Sequence, residues 1–217
     1  MAKIFTVICD KIQSYYNKYK TYHRYGDSTY YHLNNDRNII VNGRNSYGVP
    51  TVHIYDCNCK IYIGNYCSIA KGCEILLGGN HHTKWISTYA YYRDKNTFST
   101  WANLHEDQAA YHGNINIGND VWIGQNVLIL PGSNIGNGAV IGAGSVVAGK
   151  IPAYSIAVGN PCRIIKMRFS DSQILALQRI AWWNWEPMKI NENLHLLCSE
   201  KIDEFINKFD CQSDKDI

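Results

Sequence analysis

From Ile117 onward an aliphatic residue recurs at every sixth position: Ile117, Ile123, Ile129, Ile135, Ile141 and Val147. Glycine follows it at Gly118, Gly124, Gly136 and Gly142. The residue four places after each aliphatic is small or β-branched: Val121, Val127, Ser133, Ala139 and Ser145. The same period runs earlier through Ile63, Ile69 and Ile75, with Cys67, Cys73 and Gly79 at the fourth positions. Two independent positions therefore keep one period over nine hexads. An amphipathic helix needs spacings of three and four, and a plain strand needs two. A six-residue period fits neither, so the repeat predicts a solenoid.

In such a solenoid each hexad is one flat face of a prism, made of a short strand and a turn. The aliphatic residue points inward and stacks on its equivalent one coil away, about three hexads later. β-Branched residues suit the strand, and glycine tolerates a tight backbone at the corner. One coil cannot bury its own core, so coils must stack. Cys67 and Cys73 fall on the small inward position and read as packing residues. The glycines between Gly132 and Gly144 follow the period and lack the lysine of a phosphate loop.

The remaining chain surrounds the prism. Residues 3–19 read as a helix with Ile4, Phe5, Ile8, Ile12, Tyr15 and Tyr16 on one face. Residues 40–62 read as irregular early coils. The period breaks between Asn80 and Asn114, and a repeat-free excursion of this length is usually functional. Helices are expected at 171–181 and 192–209, with Ser170 as an N-cap. The expected organisation is an N-terminal helical extension (1–39), a β-helix domain (40–167) with its excursion (80–114), and a C-terminal helical tail (168–217). A net charge of +3 on 217 residues argues against a nucleic-acid binder. No stretch reaches the roughly 18 apolar residues of a membrane span. The eight cysteines have no zinc-knuckle spacing and no secretory signal precedes them, so free thiols in a reducing cytoplasm are expected.

The prism, its long loop and its tail together resemble the hexapeptide-repeat acetyltransferases, in particular the xenobiotic branch with its chloramphenicol, streptogramin and glycan O-acetyltransferases. The residues that carry the resemblance begin with Ser46-Tyr47-Gly48-Val49-Pro50 and Ile63-Gly64-Asn65-Tyr66-Cys67-Ser68-Ile69. Gly78-Gly79-Asn80-His81 and Ser87-Thr88-Tyr89 follow, then Gly118-Asn119-Asp120-Val121-Trp122-Ile123-Gly124. The last are Gly159-Asn160-Pro161, Arg168-Phe169 and Trp182-Trp183-Asn184-Trp185. The resemblance implies a left-handed parallel β-helix, acetyl-CoA as co-substrate, and a homotrimer with sites at subunit interfaces. The chain departs from the pattern beside the acceptor: His82-Thr83-Lys84-Trp85-Ile86 is bulkier, and Ala90-Tyr91 replaces Pro-Phe.

Acetyl transfer from a thioester asks chiefly that the acceptor hydroxyl lose its proton. A histidine, with an ordinary pKa of about 6.5, suits that task. His81 stands where the period ends and the loop begins, and is the expected general base. His82 is a minor alternative, and His105 and His112 read as surface residues. A carboxylate or carbonyl should orient the second imidazole nitrogen, with Glu106 and Asp107 as candidates. By resemblance, a backbone N–H on a neighbouring coil should serve the oxyanion. By resemblance, Gln125, Ala143 and Ala148 line the coenzyme groove, Arg163 and Lys166 meet its phosphates, and Trp122 lines the acyl end. Tyr47, Asn80, Trp85 and Tyr89 are the expected acceptor contacts. Trp182, Trp183 and Trp185 read as a packed cap, with adenine stacking as the alternative. No metal is expected. The leading functional reading is O-acetylation of a bacterial glycan or sugar precursor. Antibiotic inactivation, sugar N-acetylation and a non-catalytic β-helix scaffold are the alternatives.

Overall fold

A computed structural model describes residues 39–41, 43–55, 59–91, 96–98 and 112–210. The helix expected at 3–19, and His105, Glu106 and Asp107, lie outside these residues. Fourteen short strands follow one another: β1 (Ile39–Val41), β2 (Thr51–Ile54), β3 (Ile61–Ile63), β4 (Ser68–Ile69), β5 (Glu74–Leu77), β6 (Ile115–Ile117), β7 (Trp122–Ile123), β8 (Leu128–Ile129), β9 (Asn134–Ile135), β10 (Val140–Ile141), β11 (Val146–Val147), β12 (Lys150–Ile151), β13 (Ser155–Val158) and β14 (Arg163–Met167). They form three sheets visited in rotation, which are the walls of a triangular prism. Face A is β1-β3-β6-β9-β12, face B is β4-β7-β10-β13-β14, and face C is β2-β5-β8-β11.

The hexad period sets the register. Ile117 pairs with Ile63 and Ile135, Ile123 with Ile69 and Ile141, and Ile129 with Ile75 and Val147, all in parallel. All nine of these aliphatics are buried in one continuous core. The small fourth positions are buried too, except Gly79 where the excursion begins, and their hydroxyl or thiol groups bond to corner carbonyls. Ser133 Oγ donates to Leu130 O at 2.6 Å, and Cys67 Sγ donates to Gly118 O at 3.0 Å. A polar atom is thus tolerated at these positions because it is satisfied. Burial pushes the Cys67 thiol up to about 11. Where glycine follows the aliphatic it answers to space between coils: a Cβ on Gly124 would stand 2.6 Å from Ala143 N. In the last coil the stacked residues are sixteen apart, as in Ile135 with Ile151, where Ile117 and Ile135 are eighteen apart.

After β14 the chain forms α1 (Asp171–Ile180), a 3₁₀ turn (Trp182–Asn184), α2 (Pro187–Glu192), α3 (Leu194–Leu197) and α4 (Ile202–Phe209). Ser170 caps α1 with a complete capping box, as expected. The single helix expected at 192–209 is broken instead. Ser199 Oγ donates to Leu196 O and accepts from Lys201 N, which ends one helical run and precedes the next. These helices cover the corner between faces A and B. Along that corner Asn65 N donates to Asn119 Oδ1, and Asn119 N to Asn137 Oδ1, each at 2.8 Å. The ladder then reaches the cap: Asn137 Nδ2 donates to Gln178 Oε1, Asn65 Nδ2 to Trp183 O, and Arg44 to Trp185 O. Trp183 is buried with Leu177, Leu196 and Phe205 in a second core, which bears out the packed-cap reading of the tryptophans. Among the described residues no helix is long and apolar enough to cross a membrane.

Candidate active site

His81 leaves the prism at the corner between faces C and A. Gly78 and Gly79 follow β5 with φ of +73° and +80°, a left-handed pair that turns the chain outward. The segment that follows folds back on His81. Ser87 Oγ accepts from Tyr89 N and donates to Tyr91 Oη, which fixes the backbone around Thr88. Thr88 O lies 2.5 Å from His81 Nδ1. A carbonyl can only accept, so Nδ1 is the donor, and in the neutral imidazole Nε2 keeps its lone pair. This orienting group is a main-chain carbonyl, one of the two kinds of group the sequence left open, while the candidates Glu106 and Asp107 lie outside the described residues. His82 lines the same hollow and stacks on Trp85, with ring centroids 4.1 Å apart and an interplanar angle of 13°. Asn80, Trp85 and Tyr89 line the hollow around His81. His112 is exposed, at the return of the excursion.

A second group of expected residues lies on face B. Residues paired across the strands share one side of the sheet. Tyr47, Ser68, Trp122, Val140, Ile156 and Lys166 form such a row. Trp122 is 57% exposed and its strand neighbour Ile123 is buried, so the row faces outward. Three strand steps, about 14 Å, separate Trp122 from Lys166. Arg163 is paired with Val158 and Lys166 with Ile156, with a bulge between the two pairs. Residues three apart on a regular strand point to opposite sides. The bulge brings Arg163 and Lys166 to the same side.

Gln125 and Ala143 are exposed at the corner between faces B and C, one coil apart. Ala148 is exposed at the corner between C and A, the corner from which His81 departs. Within one chain the expected residues therefore fall into two sets. His81, Asn80, Trp85, Tyr89 and Ala148 belong to the C/A corner. Trp122, Arg163, Lys166, Gln125, Ala143 and Tyr47 belong to face B or its border with C. Tyr47, expected beside the acceptor, stands in the row with Trp122 because its backbone bridges to Ser68.

Sequence reasoning passed over one charged group. Asp120 and Arg168 meet at 3.8 Å on the A/B corner, above the buried Tyr154. Burial raises the Asp120 carboxyl to about 6, with Arg168 opposing the rise. Both residues lie in motifs quoted for the resemblance, but their meeting depends on the last coil and the hairpin of β13 and β14.

Residues 114–149 match the family model described as bacterial transferase hexapeptide (six repeats). The chain is 43% identical over 155 residues to a probable macrolide acetyltransferase of Lysinibacillus sphaericus, covering 69% of this chain and 84% of that protein. It is 40% identical over 145 residues to a chloramphenicol acetyltransferase of Klebsiella aerogenes, covering 66% of this chain and 68% of that protein. Among solved structures it is similar to a maltose O-acetyltransferase from Clostridium difficile 630, with 36% identity, TM-score 0.46, and coverage of 62% and 61% of the two chains.

Proposed function

The chain belongs to the hexapeptide-repeat acetyltransferases, with the left-handed parallel β-helix of that family, and we propose that it O-acetylates an acceptor hydroxyl with His81 as general base. Acetyl-CoA is the co-substrate, and its thioester supplies an activated acyl group on a good leaving thiolate. The observation that carries the assignment is the short contact from His81 Nδ1 to Thr88 O. It fixes the tautomer in which Nε2 of this exposed histidine can accept the hydroxyl proton. The face B row fits the donor. An exposed indole and two half-buried aliphatics, Val140 and Ile156, make an apolar strip for an acyl-pantetheine arm. Lys166 and Arg163 at its end present cations to phosphates.

We further infer that the site is shared between chains of a homotrimer. The C/A corner and the B/C border lie on different sides of one prism, so one chain cannot close a site from both sets. A threefold ring that sets the C/A corner of one chain against the B side of the next turns face C toward the axis. The outward row of face C runs Thr51, Glu74, Leu128 and Val146, so its later coils present the aliphatic residues suited to an interface. Face A carries Asn116, Asn134 and Lys150, and the A/B corner carries the helical cap, so both suit solvent.

For the acceptor we infer a glycan or sugar hydroxyl. His82 and Trp85 stack beside the base and Tyr89 is exposed there, giving aromatic faces for the C–H side of a sugar ring. The relatives named for macrolide and chloramphenicol support a second reading, an antibiotic hydroxyl. The test is acetyl-CoA consumption over a panel of sugars, glycans, amino sugars, chloramphenicol and macrolides. Ester formation on a sugar hydroxyl supports the first reading. Turnover confined to antibiotics supports the second, and amide formation refutes O-transfer.

A further inference from the structure

Between the A/B corner and the helical cap lies a cleft of about 390 Å³. That volume is in the range of small-molecule sites. Its walls are aliphatic and aromatic, among them Leu177, Leu197, Ile202 and Phe205, with the tilted pair Tyr66 and Trp182 at 5.1 Å. It contains none of the residues given a part in acetyl transfer. We propose that this cleft is a second ligand site, for a monocationic amine carried on an apolar body.

The polar groups select that class. The Asp120 side chain is 31% exposed and Arg168 stands 3.8 Å from Oδ2, beyond hydrogen-bond length. Arg168 donates one Nη1 N–H to Gly138 O at 2.6 Å and lies over the rings of Tyr154 and Phe169. The carboxylate therefore keeps room for a donor that the guanidinium, placed at 3.8 Å, does not supply. Glu200 adds a second carboxylate to the lining. Two carboxylates against one guanidinium leave the cleft with one excess negative charge. An anion is repelled, and a neutral donor leaves that excess in place. An ammonium group answers it, and the faces of Tyr66 and Trp182 add to its attraction. The carboxyl, lifted to about 6 by burial, is ionised at neutral pH in a poorly hydrated place, which raises the gain from pairing it.

The experiment titrates three near-isosteric probes into the assembled full-length protein by calorimetry at pH 7.5: 2-naphthylmethylamine, 2-naphthalenemethanol and 2-naphthoic acid. The amine is expected to saturate at one per chain and bind at least about fivefold tighter than the alcohol, the order of one charge-assisted contact. The acid is expected not to bind. Asp120→Asn should erase the difference between amine and alcohol. Leu194 lies exposed on the cleft wall, so Leu194→Trp fills the cleft at little risk to folding. It should abolish binding of both probes with acetyl transfer intact. Parity of amine and alcohol in the wild-type protein, or amine binding that survives Leu194→Trp, overturns the proposal.

Discussion

Replacing Ile129 by alanine puts the prism to a quantitative test. Ile129 has no exposed surface and is held in register between Ile75 and Val147 on face C. Truncation of a buried aliphatic to alanine costs about 2–5 kcal/mol, more where the surroundings cannot collapse. Here the two stacked neighbours are fixed by strand ladders above and below. A loss in the upper part of that range, about 3–4 kcal/mol, is therefore expected. With a urea slope of about 1–3 kcal/mol/M, the unfolding midpoint should fall by about 1–4 M. Ile86 is fully exposed on the excursion, and Ile86→Ala should change stability by less than about 0.5 kcal/mol. Circular dichroism in urea, at one chain concentration because assembly contributes by mass action, measures both. An Ile129→Ala midpoint indistinguishable from that of Ile86→Ala would refute the inward register on which the account rests.

Arg163→Ala combined with Lys166→Ala should raise the KM for acetyl-CoA with a smaller effect on acceptor KM, since the bulge puts both cations on one side of β14; steady-state kinetics in each substrate measures it, and unchanged coenzyme KM refutes the phosphate role. His81→Ala chains mixed with the Arg163→Ala, Lys166→Ala chains should regain part of the lost activity, because one mixed interface holds an intact site; no recovery in a confirmed mixed trimer contradicts the shared site. The Asp120 carboxyl is raised in the folded protein from 3.8 to about 6. Its contribution to stability is full below the unfolded value and is lost as pH rises through about 6. Asp120→Asn should therefore gain stability relative to wild type between about pH 4 and pH 7, and a urea midpoint difference that shrinks over that interval would contradict this.

The hexad period carried the architecture because each hexad repeats one local problem: an aliphatic to bury, a small residue at the corner, a turn. What the period did not carry was where two distant pieces meet. Tyr47 has no hexad of its own, and its place beside Trp122 follows from a single backbone bridge to Ser68. The spacing of Arg163 and Lys166 would send their side chains apart, and only the bulge in β14 unites them. Thr88 orients His81 through its carbonyl, a group every residue has, so no side-chain pattern marks it. The C-terminal apolar period read as one helix over 192–209, while Ser199 broke it by bonding to its neighbours' backbone.

The central claim is that Nε2 of His81 takes the acceptor proton. The most direct measurement is turnover by His81→Ala beside its acetyl-CoA affinity, determined on the same preparation. A loss of about 10²–10⁴-fold in kcat is expected, with coenzyme affinity nearly unchanged, because the face B wall is untouched. Wild-type turnover in a folded His81→Ala protein contradicts it.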